Sequence, residues 1–307
     1  MSLYDVAIIG GGVSGLASGL YSRRYNLSTA VLQGKKPGGW TAIAGIIENY
    51  PGVRSISGYD LVGVMKEQNK ELGVEILNYV AKGIIKKGEG DFVIQTEKEE
   101  IQAKSVVLAH GTEHRKLGLE NEDKFMGKGV AICAVCDAPL FKDKVVFVVG
   151  GGDSSLKGCS LLSQYASQVY LITRESELHG EPINLKRMRE KKNVKVIYNT
   201  EVTKILGGEM LEQVELKEEF EGKKLWDAQG LFVMIGFVPR ADYFKDLGVK
   251  LDKRGYIEVD KFMKTTVPGV LAAGDCTNGT GGFKQAIVGA AQGAMAATSA
   301  NDYLAKL

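Results

Sequence analysis

The chain has 307 residues, of which 44% are hydrophobic and 25% are charged, and its formal net charge is +2. This balance is typical of a globular protein with a large core or two domains, and it gives no reason to expect nucleic acid or a membrane surface as a partner. The 4 cysteines are too few for a disulfide-stapled secreted scaffold. No apolar run predicts a membrane span and the N-terminus lacks a basic signal region, so we expect a cytoplasmic protein.

The N-terminal segment has the pattern of a dinucleotide-binding strand, turn and helix. Residues 6–9 form an apolar run rich in branched side chains, as in a buried parallel strand. A glycine turn, a helix and a second apolar strand follow, so the pyrophosphate of a dinucleotide is expected at the helix N-terminus. Gln33 occupies the usual place of an acidic ribose-binding residue, and its amide can still hydrogen-bond a hydroxyl. The turn glycines are Gly10, Gly12 and Gly15.

The same pattern recurs about 140 residues later, which indicates an internal repeat of a whole folding unit. An apolar strand over residues 145–149 precedes a second turn, and another strand spans 168–172. Polar segments over 112–119 and 237–241 are predicted linkers, which would let the unit between them swing as a rigid body. The glycine-rich turn contains Gly150, Gly152 and Ser155.

The C-terminal segment returns to the first unit with a strand over 270–275 that ends in a glycine and an acid. From about residue 281 to 304, we predict a helix rich in small residues. Small side chains allow close packing against a sheet or a cofactor, and we prefer this interpretation to a membrane or dimer helix.

Two cysteines between the glycine turns are spaced C-x-x-C. Cys133 and Cys136 can close a small disulfide and reopen it. The alternative is half of a zinc site, but zinc needs four ligands, and the other cysteines and histidines are not paired at ligand spacing. We therefore expect no metal, and we interpret Cys159 and Cys276 as buried packing residues.

Together these motifs resemble those of the low-molecular-weight thioredoxin reductases, flavoproteins with two dinucleotide-binding domains. The resemblance covers essentially the whole chain. It implies an α/β fold with two Rossmann-like three-layer domains: one of residues 1–114 and 243–307, and an inserted one of residues 115–242. The motifs are Gly10-x-Gly12-x-x-Gly15, Gly38-Gly39, Asn49-x-Pro51-Gly52, Cys133-x-x-Cys136-Asp137, Gly150-Gly-Gly-Asp-Ser154, Gly274-Asp275 and Gln285-Ala286.

The resemblance implies FAD in the discontinuous domain. Asp275 would hold the ribityl or pyrophosphate region, and the helix after Gln285 would face the pyrimidine end of the flavin. Two residues depart from the family pattern: Trp40 stands for a usual glutamine and His110 for a usual threonine. The implied FAD residues are Gly10, Gly12, Gly15, Gln33, Gly39, Trp40, Asn49, Gly111, Gly274, Asp275, Lys284, Gln285 and Ala286.

The resemblance also implies a homodimer whose redox-active disulfide reduces thioredoxin or a thioredoxin-like protein. Cys136 would face the flavin, Cys133 would attack the disulfide of the partner, and Asp137 would exchange protons with the pair. A flavin redox sensor without turnover is an alternative function, although a sensor has no need of the acid.

The inserted domain would bind NADPH or NADH, but the sequence departs from the family where the 2′-phosphate is read. The usual His-Arg-Arg is replaced by Thr173-Arg174-Glu175, and His179 replaces a further arginine. A phosphate needs forked positive donors, so NADPH, NADH and the ferredoxin used by some relatives all stay open as electron donors. The implied nucleotide residues are Gly150, Gly152, Asp153, Ser154, Ser155, Arg174 and Glu175.

Overall fold

The structure is a computed structural model that describes residues 3–240 and 244–307. The helices of this part of the chain are α1 (Val13–Arg24), α2 (Gly39–Ala42), α3 (Gly58–Glu71), α4 (Glu122–Phe125), α5 (Ala134–Asp137), α6 (Asp153–Leu162), α7 (Pro182–Arg189) and α8 (Ala286–Leu304). Short 3-10 helices span Ala138–Phe141, Lys245–Leu247 and Asn278–Thr280. Of the helices described, none is long and apolar enough to cross a membrane.

The strands are β1 (Leu3–Ile9), β2 (Thr29–Leu32), β3 (Ile46–Ile47), β4 (Ile56–Ser57), β5 (Glu75–Leu77), β6 (Ala81–Gly88), β7 (Asp91–Thr96), β8 (Glu100–Leu108), β9 (Thr112–His114), β10 (Val130–Ala131), β11 (Val145–Val149), β12 (Gln168–Ile172), β13 (Val194–Ile197), β14 (Val202–Leu206), β15 (Gln213–Phe220), β16 (Lys223–Asp227), β17 (Gly230–Val233), β18 (Phe237–Pro239) and β19 (Val270–Ala272).

The chain divides into two compact units. The first unit comprises Met1–Glu113 and Pro239–Leu307, and the second comprises His114–Val238. The chain passes between the units within β9 and within β18, and these two strands pair with each other. Residues 241–243 lie outside the described residues. They include the second domain boundary that the sequence predicted, between 242 and 243, and the end of the predicted second linker at 241.

The first unit is built on a mixed sheet in the order β5-β2-β1-β8-β7-β6, with β19 also paired to β8. Strands β1, β2, β5, β8 and β19 are parallel, whereas β7 pairs antiparallel with β8 and with β6. All four residues of β2 and the last four of β1 are buried, because both faces of the parallel part of the sheet are covered. This burial accounts for the continuous apolar runs in the sequence.

Helix α8 packs closely on α1, whereas its small residues were predicted to pack against a sheet or a cofactor. A Cβ atom added to Gly293 would lie 2.1 Å from the carbonyl oxygen of Ser14, and one added to Gly289 would lie 2.7 Å from the Ser14 hydroxyl. The helix begins at Ala286 rather than near residue 281. Gly281 and Gly282 have φ angles of +57° and +87°, which a right-handed helix does not accommodate.

The second unit repeats the strand, turn and helix order of the first. Its parallel sheet has the order β10-β17-β11-β12-β13, and an antiparallel sheet is formed by β14-β15-β16. One core contains side chains of α6 and α7, including Leu156 and Met188. The other contains Phe147 and Tyr170 of the parallel sheet with Trp226 of β16. The predicted class, α/β with two Rossmann-type domains, is confirmed.

Candidate active site

The first glycine turn is a backbone cradle between β1 and α1. Gly10 has φ +116°, and a Cβ atom there would lie 2.3 Å from the carbonyl oxygen of Ala109. A Cβ atom on Gly15 would lie 1.8 Å from the carbonyl oxygen of Gly10. Helix α1 follows Gly12 without a side-chain hydrogen bond to its first turn, so its leading N–H groups face outward as donors. Such a helix end favours an anion such as a pyrophosphate.

Gln33 lies against this cradle at the end of β2. A Cβ atom added to Gly11 would lie 2.3 Å from the Gln33 Cβ atom, so the glutamine packs directly on the turn. Its Nε2 atom donates to the Oδ1 atom of Asn78. Its Oε1 atom is buried and accepts no hydrogen bond from the described residues. A buried acceptor without a donor fits a ligand hydroxyl at this position.

The segment around α2 forms a second side of the cradle. The backbone N–H of Gly38 donates to the carbonyl oxygen of Gly11 at 3.1 Å, and Gly38 has φ +85°. The left-handed turn lets a short helix start at Gly39. Trp40 donates its indole N–H to the carbonyl oxygen of Thr112 at 2.7 Å, which fixes the ring in place.

The Gly274-Asp275 turn touches the first turn of α1. Gly274 has φ +83°, and a Cβ atom there would lie 2.1 Å from the hydroxyl oxygen of Ser14. Its backbone N–H donates to the Oε1 atom of the buried Gln292 at 2.8 Å. Burial raises the pKa of the Asp275 carboxyl above its ordinary value, and the nearby positive charge of Lys284 opposes this shift. The Asp275 carboxyl is therefore partly shielded from solvent, and the Lys284 ammonium group lies near enough to act on its charge.

The segment before α8 brings three predicted residues together. Asn49 donates its amide to the Oε1 atom of Gln285 at 3.1 Å, although the two residues lie far apart in sequence. The ammonium group of Lys284 is 2.6 Å from the Tyr256 hydroxyl and 4.3 Å from the centre of its ring. Gly111 has φ +69°, and no atom of the described residues lies within 4 Å of a Cβ atom placed there.

The predicted FAD residues thus lie in the first unit, where the turns at Gly38 and Gly274 both contact the segment 10–15 and Asn49 contacts Gln285. Sequence reasoning missed Ser14, Tyr256 and Gln292, which hold that cradle in shape. Ser14 occupies a variable position of the glycine motif, and the other two lie outside any motif, so no local sequence signal marks them.

His110 is enclosed at the carboxyl end of β8. Its ring is tilted against that of Phe244 with the ring centres 5.1 Å apart. Burial lowers the pKa of His110 to about 4, so the ring is neutral at pH 7.

The second glycine turn has the same construction in the second unit. A Cβ atom on Gly150, whose φ is +140°, would lie 2.3 Å from the carbonyl oxygen of Met234. Ser155 is buried, and its hydroxyl donates to the carbonyl oxygen of Gly152 at 2.6 Å. Ser154 next to it is exposed. The serine that replaces the third glycine of the motif therefore closes the turn with its side chain.

A loop from the region before α7 is hydrogen-bonded to this second turn. The backbone N–H of His179 donates to the carbonyl oxygen of Gly151 at 2.8 Å. The Oδ1 atom of Asp153 accepts from the backbone N–H of Glu181 at 2.8 Å and from the Asn184 amide at 3.1 Å. Asp153 thus anchors the loop that carries His179.

Arg174 and Glu175, the two charged residues expected near a 2′-phosphate, each pair with another side chain of the same unit. The Nη1 atom of Arg174 is 3.8 Å from the Oε2 atom of Glu201. Glu175 pairs with His179, as a carboxylate and an imidazole one helical turn apart in sequence. Arg174 is thus the one predicted cation of this region, and a carboxylate already lies beside it.

The two cysteines of the C-x-x-C motif form the predicted disulfide. Cys133 and Cys136 are bonded across the start of α5, with their Cα atoms 5.4 Å apart. The backbone N–H of Cys136 donates to the Sγ atom of Cys133 at 3.2 Å, and burial raises the pKa of the adjacent Asp137. In the described part of the chain, no cluster of three or more His, Cys, Asp or Glu could hold a metal ion.

Comparisons with known proteins identify the class of this fold and site. Residues 4–293 match the family described as pyridine nucleotide-disulphide oxidoreductase. A thioredoxin reductase of Peptoclostridium acidaminophilum is 38% identical, with 99% of this chain and 98% of the relative covered. The chain therefore belongs to the pyridine nucleotide-disulphide oxidoreductase family, within its low-molecular-weight thioredoxin reductases.

Solved structures agree with this assignment. The thioredoxin reductase of Lactococcus lactis matches with a TM-score of 0.93 at 32% identity, covering 99% of this chain and 100% of that one. A ferredoxin-flavin thioredoxin reductase of Clostridium acetobutylicum matches with a TM-score of 0.55 at 32% identity, covering 100% of both chains. The Lactococcus lactis thioredoxin reductase and the ferredoxin-flavin thioredoxin reductase are thus equally similar in sequence to this chain.

Proposed function

We propose that this chain is an FAD-dependent reductase that transfers electrons through the Cys133–Cys136 disulfide to thioredoxin or a thioredoxin-like protein. The observation that carries the proposal is the disulfide itself, which lies beside an acid in a unit with its own dinucleotide turn. A redox sensor without turnover needs no acid to exchange protons with the cysteine pair. The presence of Asp137 therefore favours a catalytic function over a sensor.

The first unit, with the cradle at Gly10–Gly15, is the proposed FAD-binding domain. The leading N–H groups of α1 would bind the pyrophosphate, and the unpartnered Gln33 oxygen would accept from a ribose hydroxyl. Asp275 and the N-terminus of α8 would lie along the rest of the cofactor. When bound, FAD would supply the two electrons that reduce the disulfide.

The reduced thiol pair would then reduce the partner in two exchanges. The Cys133 thiolate attacks one sulfur of the partner's disulfide, forms a mixed disulfide and releases the other partner sulfur as a thiolate. The Cys136 thiolate next attacks the Sγ atom of Cys133, which restores the internal disulfide and releases the second partner sulfur. The N–H of Cys136 that donates to the Sγ atom of Cys133 stabilises a thiolate at Cys133.

Asp137 would exchange protons with the pair, since it adjoins Cys136 and burial raises its pKa.

Two apolar side chains near the disulfide suit a protein substrate rather than a small thiol. Val135 is 46% exposed and Leu140 is 68% exposed, both within the second unit. Exposed apolar side chains beside a reactive group are typical of a surface that a protein partner covers.

The second glycine turn is the proposed site of a nicotinamide nucleotide. Its backbone can seat a pyrophosphate, and Arg174 is the one predicted cation for a 2′-phosphate, with Glu175 beside it. We therefore expect NADPH and NADH to differ by about tenfold or less in efficiency, because the carboxylate offsets much of the gain from one Arg.

Ferredoxin is the second candidate donor. The pairing of Arg174 with Glu201 and of Glu175 with His179 leaves little charge to select a phosphate. The Clostridium acetobutylicum relative is a ferredoxin-flavin thioredoxin reductase, and this branch of the family supports the same donor here.

Anaerobic stopped-flow reduction separates these donors and the sensor alternative. The FAD-loaded protein is mixed with NADPH, NADH or reduced ferredoxin while the flavin absorbance is followed, and thioredoxin is added afterwards. Rapid bleaching by a nucleotide, then recovery with thioredoxin, supports the first proposal. Bleaching by ferredoxin alone supports the second candidate, and a flavin that thioredoxin never reoxidises contradicts catalysis.

We further propose a cytoplasmic homodimer. Tyr21 on α1, Tyr25 at its C-terminal end and Met295 on α8 are about 40% exposed, and a second copy would cover these side chains. Light scattering on the purified protein at micromolar concentration checks the dimer, and a monomer mass would contradict it.

A further inference from the structure

We infer that Glu201 is the residue that keeps this chain from selecting NADPH over NADH. The inference rests on the proposed nicotinamide site, and it assigns the specificity of that site to a residue outside its sequence motif. Glu201 lies on the segment between β13 and β14, well after the Thr173-Arg174-Glu175 positions.

The backbone fixes the segment of Glu201 beside Arg174. The N–H of Asn199 donates to the carbonyl oxygen of Glu175 at 3.2 Å, and the N–H of Thr200 donates to that of Thr173 at 3.1 Å. Thr200 is buried. On the other side, the N–H of Lys217 donates to the carbonyl oxygen of Glu201 at 3.0 Å. Hydrogen bonds on both sides therefore hold Glu201 in this position.

The carboxylate of Glu201 faces two cations. Its Oε2 atom is 3.8 Å from the Nη1 atom of Arg174, and its Oε1 atom is 3.3 Å from the Nζ atom of Lys217. The Glu201 side chain is only 35% exposed, whereas that of Arg174 is 77% exposed. Glu201 is thus held in place while the guanidinium remains accessible from solvent.

A 2′-phosphate that paired with Arg174 would approach the Glu201 carboxylate, which is held in place. Glu201 lies on one side of the guanidinium, and Glu175 follows Arg174 in sequence. At such separations like charges repel strongly enough to cancel a charge-assisted hydrogen bond. NADH carries a hydroxyl at the same place and meets no such repulsion, so the arrangement tolerates NADH and penalises NADPH.

The test is the affinity of the oxidised, FAD-loaded protein for NADP⁺ and NAD⁺, measured by isothermal titration calorimetry, because no turnover is needed. In Glu201→Gln we expect NADP⁺ to bind about tenfold more tightly and NAD⁺ to change less than about twofold. The gain should shrink at high salt, since it is electrostatic.

Two further variants control for the charge change. Glu215→Gln removes a similar carboxylate on β15 that pairs with Lys204 rather than with Arg174, so it should leave the NADP⁺ to NAD⁺ ratio unchanged. Arg174→Met combined with Glu201→Gln should abolish the gain, because the guanidinium that binds the phosphate is gone.

The outcomes separate this inference from the function it rests on. An unchanged ratio in Glu201→Gln while NAD⁺ still binds overturns the role of Glu201 and leaves the nicotinamide site standing. An equal gain in Glu215→Gln, or a gain that survives in the double variant, also overturns it. If neither nucleotide binds wild type or Glu201→Gln, both the inference and the nicotinamide donor fall, although reduction of thioredoxin by ferredoxin could still be observed.

Discussion

At the scale of single residues, the two cysteines have different surroundings. The Sγ atom of Cys133 accepts the N–H of Cys136, and Cys136 is the more exposed of the two. Once the disulfide is reduced, the same N–H donor would stabilise a thiolate at Cys133, so the hydrogen bond favours Cys133 as the thiol that attacks the partner. The resemblance to the low-molecular-weight thioredoxin reductases implies the same assignment.

Substitution of each cysteine tests that assignment. A thioredoxin whose resolving cysteine is removed is first activated at its remaining cysteine as a mixed disulfide with thionitrobenzoate. The Cys133 thiolate of Cys136→Ser should then attack the thioredoxin sulfur, displace thionitrobenzoate and capture the partner as a mixed disulfide. Cys133→Ser should capture at least about tenfold less, because its remaining thiol lacks the N–H donor. Non-reducing electrophoresis and mass spectrometry measure the product. Preferential capture by Cys136 would reverse the roles, and wild type that is first reduced and then alkylated with iodoacetamide serves as the blank.

His110 gives a prediction about acid stability. Its folded pKa of about 4 lies below the ordinary 6.5, so the unfolded chain binds more protons between these values. The free energy of unfolding should therefore fall as pH falls from 6.5 to 4, by up to about 3 kcal/mol from this residue. His110→Thr should remove that part of the slope. Urea unfolding at several pH values measures how the free energy of unfolding depends on pH. The same pH dependence in both proteins would show that the pKa of His110 is not lowered in the folded protein.

At the scale of elements, the contact of α8 with α1 shapes the proposed FAD cradle. Ser14 in the first turn of α1 meets Gly274, Gly289 and Gly293, all of them at distances where a Cβ atom would collide. Gly289 and Gly293 of α8 both lie against Ser14, which explains the small residues at these two positions of the helix.

Gly293→Ala tests the close packing. The new Cβ atom would lie 2.1 Å from a backbone oxygen that cannot move alone, so we expect a loss of about 1–3 kcal/mol in the free energy of unfolding and weaker FAD binding. Gly63→Ala in α3 is the matched control, because a Cβ atom there meets no described atom within 4 Å. It should stabilise by about 0.5–1 kcal/mol and leave FAD affinity unchanged. Similar effects of both changes would mean that the α1–α8 contact adjusts freely.

The same elements mark what could be predicted from the sequence. Buried parallel strands such as β1 and β11 carry continuous apolar runs, and the glycine turns have fixed spacing, so strands, turns and the disulfide could be predicted. The predicted start of α8 was wrong, because amino-acid composition does not reveal the positive φ angles of Gly281 and Gly282. Contacts such as Asn49 with Gln285, or Arg174 with Glu201, join distant segments, and no local pattern encodes them.

At the scale of the whole molecule, one small disulfide has to meet both a flavin and a bulky protein. A single buried position does not allow both contacts, so we predict that the second unit adopts two orientations during turnover, pivoting at the two chain crossings. This prediction concerns the working enzyme and follows from the chemistry of the proposed function.

Spin labels on the two units measure such a motion. Tyr59→Cys in the first unit and Met210→Cys in the second place labels at positions 76% and 52% exposed, and both native cysteines outside the disulfide are buried. The label pair, in a Cys133→Ser/Cys136→Ser background, should give two distance populations whose ratio shifts when the flavin is reduced. One unchanging population in both redox states would contradict the prediction, and singly labelled proteins provide the background.

The discontinuous first unit also determines the order in which the protein can be completed during synthesis. Strand β8 leaves the ribosome with β1 and β7, but its partner β19 and the helix α8 follow only after the whole second unit, residues 114–238. At about 5–20 residues per second, the second unit has on the order of ten seconds to fold by itself while the first sheet stays incomplete. The FAD cradle closes only when α8 emerges, so a nascent chain truncated before Ala286 should retain the disulfide unit and bind no FAD.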